Sequence, residues 1–379
     1  MPEQTTDKVD TRKWVLPSPP STDISGNGIP SLIRAILNVR GITESKEYLN
    51  PKLNALSDPF EIPNMHEAVD RIFQAIDQQE CIVIYGDYDV DGVTSLTLLK
   101  KILSAYGIEA VPFLPHRIEE GYGLSIKALT RCLKEFSPSL IIAVDCGTTS
   151  NEEISWLNEK DVETVILDHH ESSPLGIPDC CALVNPKATR DIAESNYDYL
   201  CSVGIVFKVA HALLKQRPLE EFDLREFLDL VAVGTVSDLV PLTEENRALV
   251  KRGLIELGRT KNAGLAALIE LANIRPPYSA MDIGFRIGPR LNAAGRIDTA
   301  GKALELLLST DPAKAMGIAD ELEERNRQRQ DLERRTTAEA LEMIDNGQFG
   351  ADHMGLVLGK RGWHPGVVGI VASRISKKI

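Results

Sequence analysis

Short apolar runs alternate with longer mixed segments through the middle of the chain. CIVIY (81–85), SLIIAVD (139–145), ETVILD (163–168) and CALVNP (181–186) are too short for helices. They are also too continuously apolar for strands with one face in water. Such runs are strands buried on both faces. Between them lie TSLTLLKKILSAYG (94–107) and NEEISWLNEK (151–160), which carry apolar positions at helical spacing. The alternation predicts an α/β fold, a parallel sheet with helices on both faces. In sheets of this kind ligands bind beyond the carboxyl ends of the strands.

The flanking regions read differently. Residues 1–30 are rich in Pro, Ser, Thr and Asp, which predicts a loose segment. Residues 31–77 read as short helices, one of them, SKEYLNPKL, stopped near Pro51. The stretch 202–260 is mostly helical in pattern. A long helix is predicted to start at Asp311-Pro312 and stop at Gly347. It would span about 50 Å at 1.5 Å per residue. Its middle, EERNRQRQDLERR, is polar nearly all round, the mark of a helix that bridges domains. The last segment, MGLVLGKRGWHPGVVGIVASRISKKI, opens a new strand–loop–helix unit. The expected organisation is an N-terminal extension with short helices (1–77), an α/β domain (78–310), a connecting helix (311–346) and the start of a second α/β domain (347–379).

Composition narrows the class. At 379 residues, 43% hydrophobic and 26% charged, the chain is long enough for two or three globular domains. No apolar run reaches the length of a membrane span. The first residues, MPEQTTDKVDTRKW, are polar and acidic, unlike a signal peptide. The six cysteines form no CxxC and lie mostly in apolar segments, as reduced core thiols of a cytoplasmic protein would. A net charge of −13 argues against indiscriminate nucleic-acid binding but leaves room for a local basic groove. Part of the acid excess suits metal ligation.

The acids concentrate at the strand ends. DYDVDG (87–92) follows the first strand with three alternating carboxylates and a glycine. An EF-hand loop would need a bidentate Glu at its twelfth position, which is Leu98, and a helix before it. DVDGVT (89–94) resembles the haloacid dehalogenase signature, in which one Asp attacks phosphorus and a second acts as acid or base. That reading accounts for Asp89 and Asp91 and leaves Asp87 unexplained. A solvated, helix-capping turn would explain this loop if it stood alone. It does not. Asp145 ends the second strand, and Asp168-His169-His170 end the third. Asp238 is a lone acid in the apolar VAVGTVSDLVPL (231–242). One polar strand end is ordinary; three at one edge predict a shared site. Carboxylates with imidazole suit Mn²⁺, Mg²⁺ or Zn²⁺. Five carboxylates are too many for one ion, and two divalent cations would neutralise them. Such a pair supports in-line displacement at phosphorus.

DYDVDG, VDCGTT, LDHHE and GTVSDLVPL, in this order, resemble the DHH phosphoesterases. The set is most similar to the RecJ branch, single-strand-specific 5′→3′ DNA exonucleases. LPHRIEEGYGL (114–124), IGPRLNAAGRID (287–298) and WHPGVVGIVASRI (363–375) share that likeness, which runs from about residue 30 to the end. The resemblance implies two Mn²⁺ or Mg²⁺ ions and release of 5′-mononucleotides in DNA repair and recombination. Asp89 and Asp91 would each bind one ion, Asp145 would bridge them, and His169 and Asp238 would complete the set. Asp87 would ligate or lie close by. His170 would touch the scissile phosphate or leaving group, and Asp168 would orient a histidine. Tyr85 stands where many relatives have a ligating His.

The resemblance also implies a substrate surface. His364, Gly366, Ser373 and Arg374, at the start of a DHHA1-type domain, would face phosphates across the cleft. Arg290, Asn292 and Arg296 would hold the backbone near the metals, and Arg117 would grip a 5′-phosphate. Single-stranded DNA is the expected ligand, with a single-strand-binding protein or a helicase as protein partner and no membrane. Two alternatives stay open. One is a DHH hydrolase of oligoribonucleotides or cyclic dinucleotides. The other is a non-catalytic scaffold that binds single strands. Members of the RecJ branch usually continue well past this length, so a fragment or a reduced relative is expected, its metal site complete and its groove less so.

Overall fold

In the computed structural model, residues 29–42, 45–173, 176–188, 197–297, 301–348 and 355–377 are described. The segment 1–28, most of the stretch expected to be loose, lies outside them. By contacts the chain divides into two units, residues 1–55 and 56–379. The first contains helices α1 (Ser31–Val39) and α2 (Ser45–Leu49), the latter ending just before Pro51 as the sequence predicts.

The second unit opens with α3 (Met65–Asp77) and the strand β1 (Ile82–Gly86). There follow α4 (Val90–Ala105), β2 (Val111–Phe113), the short α5 (Arg117–Glu120), α6 (Ile126–Phe136), β3 (Leu140–Val144), α7 (Asn151–Asn158), β4 (Glu163–Leu167) and β5 (Ala182–Val184). All pairings are parallel, in the order β2-β1-β3-β4-β5. The four expected strands are present. The fifth, β2, has only three residues and contains Pro112, which suits an edge and hides the strand from pattern reading.

Alternation along the strands sorts the two faces. Val83, Tyr85, Ile141, Ala143, Ile166 and Leu183 pack against Ala128, Leu129 and Cys132 of α6 and Ile154 and Leu157 of α7. Against the other face lie α3, α4 and a later helix, α8 (Ser202–Gln216). The expected amphipathic helix is therefore different in kind. α4 is buried along most of its length, because the sheet covers one side and α8 and α9 (Leu228–Ser237) cover the other.

Beyond the sheet the chain is helical: α10 (Glu244–Leu257), α11 (Ala263–Leu271), α12 (Ala280–Asp282) running into a π-helical turn (Ile283–Ile287), α13 (Gly288–Ile297) and α14 (Gly301–Leu308). The long helix α15 (Pro312–Met343) starts at the cap Asp311, whose carboxylate accepts from Ala313 N at 2.9 Å. It is not the bare spacer its polar sequence predicts. Ala315, Ile318, Ala319 and Leu322 are buried, and the helix packs on α11, α13 and α14. Its far end makes a small cluster with α16 (Pro365–Ile375), in which Ala340 meets Val371 and Ile375. The strand expected before α16 forms no ladder among the described residues: 355–360 has no paired neighbour, and an extended segment becomes a strand only by pairing.

The cysteines are unpaired, but not all are core thiols. Cys132, Cys146 and Cys201 are buried, Cys81 and Cys180 partly so, and Cys181 is exposed at the start of β5.

Candidate metal centre

Strand register assembles the site. Gly86 pairs with Val144, Val144 with Leu167, and Leu167 with Val184. The next residue on each strand is therefore at the same level: Asp87, Asp145, Asp168 and Asn185 form one row along the carboxyl edge. The connections from β1 and into β3 run in opposite directions across the sheet, so the crevice between these strands is the switch point where ligands gather.

Local chemistry then aims the side chains. Asp89 caps α4, its Oδ1 accepting from Asp91 N at 2.9 Å and Gly92 N at 3.1 Å. Asp91 and Gly92 thus lie in a helix rather than in a metal-binding loop. Gly92 is required because a Cβ there would stand 2.4 Å from the Asp87 carbonyl oxygen. Asp145 has φ 62°, a left-handed conformation that aspartate tolerates better than most residues, and it turns the chain sharply off β3. Asp238 follows the last turn of α9. That helix reaches α4 because residue 234 is glycine; a Cβ there would meet Thr94 Oγ1 at 2.5 Å and Asp91 Oδ1 at 3.1 Å.

The donors form three overlapping groups: Asp87, Asp89 and Asp145; Asp91, His169 and Asp238; and Asp145, His169 and His170. His169 is 7% exposed, yet neither ring nitrogen has a hydrogen-bond partner. Its Nε2 lies 3.5 Å from Asp145 Oδ1, 3.6 Å from Asp238 Oδ2 and 3.8 Å from Asp91 Oδ2. These separations are long for hydrogen bonds and close to the roughly 3–3.5 Å between neighbouring ligands of an ion bound at about 2.1 Å. Burial, partly offset by Asp91, pushes the His169 pKa down, which keeps the imidazole neutral as ligation needs. Burial and then the neighbouring carboxylates push Asp91 and Asp145 up, and burial with Asp89 pushes Asp238 up to about 6. Buried acids that resist ionising together are a donor set made for cations. The residues fit the two divalent ions that the sequence implies.

Part of the charge is met by the protein. Asp91 Oδ2 accepts from Ser202 N at 2.6 Å and Oδ1 from Val203 N at 2.9 Å. α8 has no side-chain cap of its own, so Asp91 caps it from α4, at the positive end of its dipole. Ser202 Oγ donates to Asp145 Oδ1 at 2.9 Å.

Asp168 does not join the ligand groups. Its Oδ1 bonds His170 Nδ1 at 2.7 Å and accepts from His169 N at 2.8 Å. Its Oδ2 accepts from Thr148 N at 3.0 Å and Thr148 Oγ1 at 2.6 Å. Burial opposes ionisation here, but the bonds from His170 and Thr148 outweigh it and hold Asp168 at about 2. The same bond raises the His170 pKa. His170 Nε2 faces Tyr122 Oη at 3.0 Å.

Tyr85 points away from this edge. It lies on the face covered by α6 and α7, and its hydroxyl donates to the Gly123 carbonyl at 2.9 Å. Burial pushes its pKa up, so it stays a neutral phenol and no ligand.

The residues expected to hold phosphate fare unevenly. Arg290 pairs with Glu323 at 2.6 Å and donates to the Arg286 carbonyl at 2.5 Å, which ties α13 to α15. The Gly366 amide donates to His364 Nδ1 at 3.1 Å, because His364 is the cap of α16. The helix end expected to take an anion is thus partly filled by the chain itself. Arg374 pairs with the buried Glu333 at 2.7 Å. Ser373 is exposed on α16, and Asn292 lines a cavity beside Arg374. The side chains of Arg117 and Arg296 lie outside the described residues.

Ser202, Thr148, Asn185 and Tyr122 are site residues that sequence reasoning did not single out. Asn185 had a signal: it follows an apolar strand as Asp145 and Asp168 do.

The model of the DHH family, N-terminal domain, matches residues 81–235. The chain is 42% identical to the single-stranded-DNA-specific exonuclease RecJ of Bacillus subtilis (strain 168) over 351 residues, 92% of this chain and 43% of that protein. It superposes on a crystal structure of exonuclease RecJ bound to manganese with a TM-score of 0.75 and 36% identity, covering 84% of this chain and 78% of that one. The chain belongs to the RecJ family. RecJ from Thermus thermophilus in complex with Mn²⁺ gives a TM-score of 0.76 at 35% identity, over 89% of this chain and 47% of that one. The chain spans about half the length of these two longer RecJ proteins, 43% and 47%. No helix among the described residues is long and apolar enough to cross a membrane.

Proposed function

We propose that this chain carries the catalytic centre of a two-metal, single-strand-specific 5′→3′ DNA exonuclease, a hydrolase that releases 5′-mononucleotides. The observation that supports it best is His169 Nε2, buried, without a hydrogen bond, and ringed by carboxylates of Asp91, Asp145 and Asp238. Similarity to a single-stranded-DNA-specific exonuclease supports the substrate, and the direction is what the motif resemblance implies.

In this reading Asp87, Asp89, Asp91, Asp145, His169 and Asp238 hold two Mn²⁺ or Mg²⁺ ions. When bound, such ions acidify a water and stabilise the oxygens of an in-line displacement at phosphorus. Asp145, in two of the three donor groups, is the residue to bridge them. Asp168 fixes the ring of His170 and favours its protonated form. His170 Nε2 then gives its proton to the departing 3′-oxygen of the released nucleotide. Tyr122, at Nε2, keeps the ring turned outward and supplies an aromatic surface beside the reacting phosphate.

Residues 78–310 form the catalytic domain in this reading, with 311–346 linking it to the start of a DHHA1-type domain at 347–379. Arg117, Arg290, Asn292, Arg296, His364, Gly366, Ser373 and Arg374 are the candidates for phosphate contacts. The setting is cytoplasmic DNA repair and recombination, with a single-strand-binding protein or helicase as partner.

The test is degradation of a 5′-phosphorylated, 3′-labelled single strand with Mn²⁺, Mg²⁺ or EDTA, beside a duplex and an RNA oligomer. Metal-dependent loss of the DNA single strand alone, abolished by His169→Ala, is the expected result. Turnover of short RNA alone would replace the reading with an oligoribonuclease. Metal binding with no cleavage of any substrate would overturn it.

A further inference from the structure

Tyr85 is fully buried against α6 and α7, and its ring packs on Phe113 with centroids 5.2 Å apart. A buried tyrosine hydroxyl needs a partner. Here the partner is the Gly123 carbonyl, 2.9 Å away. Gly123 directly follows Tyr122, whose own hydroxyl stands 3.0 Å from His170 Nε2. Two consecutive residues therefore connect a hydroxyl of the core to a histidine of the site.

The segment that joins them has little packing of its own. Tyr122 is 56% exposed. Gly121 has φ 92° and Gly123 φ 68°, conformations that glycine adopts without strain. A Cβ added at Gly121 would meet nothing within 4 Å, and one at Gly123 only Cys146 Cβ at 3.8 Å. Polar ties fix the segment instead. On its amino side Glu120 accepts two bonds of 2.8 Å from Arg131 and one of 2.7 Å from His116 N. On its carboxyl side stands Tyr85. An exposed side chain keeps one direction only where its backbone is held, since rotamer entropy favours the others.

We propose that Tyr85 is a positioning residue for the proton transfer: its hydroxyl fixes Gly123, Gly123 fixes Tyr122, and Tyr122 holds the His170 ring at Nε2 as Asp168 holds it at Nδ1. The proposal rests on the reading of His170 as proton donor. In that step the oxygen of a water bonds to phosphorus. The P–O3′ bond breaks with its electron pair on the departing oxygen, and that oxygen takes the Nε2 proton. Without Tyr122 the imidazole can swing about its bond to Asp168. With it, the departing oxygen meets a ring already turned outward. A Tyr85 that merely filled the core would affect stability alone.

The experiment compares two 5′-phosphorylated single strands with Mn²⁺, one natural and one with sulfur in place of the first bridging 3′-oxygen. Sulfur departs as a thiolate, a far weaker base than an alkoxide, and needs no proton from His170. Tyr85→Phe keeps the ring packed on Phe113 and removes only the hydroxyl. On the natural strand it should lower kcat about tenfold or more, part of the roughly 10²–10⁴-fold that general acid catalysis supplies, with KM and Mn²⁺ affinity unchanged. The sulfur strand should be cleaved at the wild-type rate. Tyr122→Phe should show the same pattern, and the double variant should lose no more than either single one. Glu120→Gln, which loosens the other end of the segment and leaves Tyr85 in place, should repeat it. Wild-type kcat for Tyr85→Phe, equal losses on both strands, or losses that multiply in the double variant would overturn the proposal. If wild-type protein cleaves neither strand, or His170→Ala slows both equally, the proton-donor reading falls. The side-chain ¹⁵N resonances of His170, taken in EDTA at one pH, then judge the contact itself. Tyr85→Phe and Tyr122→Phe should shift them alike, and unshifted resonances in Tyr85→Phe would overturn the positioning.

Discussion

The side-chain amide of Asn185 donates to Thr148 Oγ1 at 2.8 Å and to the His170 carbonyl at 2.8 Å. Thr148 in turn donates to Asp168, and Asp168 holds the ring of His170. A buried amide at the end of β5 thus steadies a histidine that follows β4. Asn185→Ala removes both donors and leaves the His170 loop without its tie to β5. Loss of an outer partner of this kind costs about 10–100-fold in activity or metal affinity. The expected result is a kcat reduced within that range, with Mn²⁺ binding by calorimetry close to wild type. A variant with wild-type kcat would show that Thr148 and Asp168 need no support.

Ser202 predicts the opposite split. Its hydroxyl donates to Asp145, the carboxylate shared by two donor groups. Ser202→Ala keeps the backbone amides that Asp91 uses and removes only the hydrogen bond that orients Asp145. Mn²⁺ affinity, titrated by calorimetry, should fall by about tenfold or more. The melting temperature in EDTA should change little, and kcat at saturating Mn²⁺ should largely recover. Unchanged affinity would mean that Asp145 is positioned by its left-handed backbone alone.

These contacts also mark what the sequence made legible. The apolar strands ending in Asp145 and Asp168-His169-His170 announce themselves, because a charged group directly after a buried run needs a partner. Asp238 was visible for the same reason. Ser202 and Thr148 were not: a hydroxyl in an apolar stretch looks like packing until topology brings an acid beside it. Asp91 read as a loop ligand because sequence does not show that α4 starts at Val90. The partners that Arg290 and Gly366 have in the structure, Glu323 and the His364 ring, were not legible, because they emerge only from helix packing and cap geometry. Polar side chains are the hardest to assign from sequence, since an ion pair and a ligand contact draw on the same residues.

Lys208 separates stability from chemistry. It is fully buried in α8, with Nζ 2.8 Å from Glu245 Oε2 and 3.0 Å from Ser57 Oγ. Glu245→Ala would leave a buried ammonium without its counter-charge, a loss of about 3–5 kcal/mol. Urea unfolding should register that drop. Activity per folded molecule at low temperature should stay near wild type, because the N-terminus of α8, not its middle, faces the candidate metals. An undiminished unfolding free energy would show that water reaches Lys208.

The site itself should be a source of instability without metal. Asp145 has its folded-state pKa raised by burial and by Asp91, Asp89 and Asp87. In the unfolded chain it titrates near the ordinary aspartate value. From that value upward, until the raised folded-state pKa is passed, the folded protein holds a proton that the unfolded chain has released. Folding stability contributed by this group therefore falls as pH rises across that window. Asp91 and Asp238 act in the same direction. In EDTA the protein should melt at a lower temperature at pH 8 than at pH 5.5, and Mn²⁺ at pH 8 should reverse the loss. Asp145→Asn keeps an acceptor for Ser202 Oγ and removes one negative charge. It should melt higher than wild type in EDTA at pH 8, gain little from Mn²⁺, and lack nuclease activity. A variant less stable than wild type under those conditions would mean that the carboxylate is already neutralised by the protein, and that α8 offsets more of the charge than its two amides and one hydroxyl suggest.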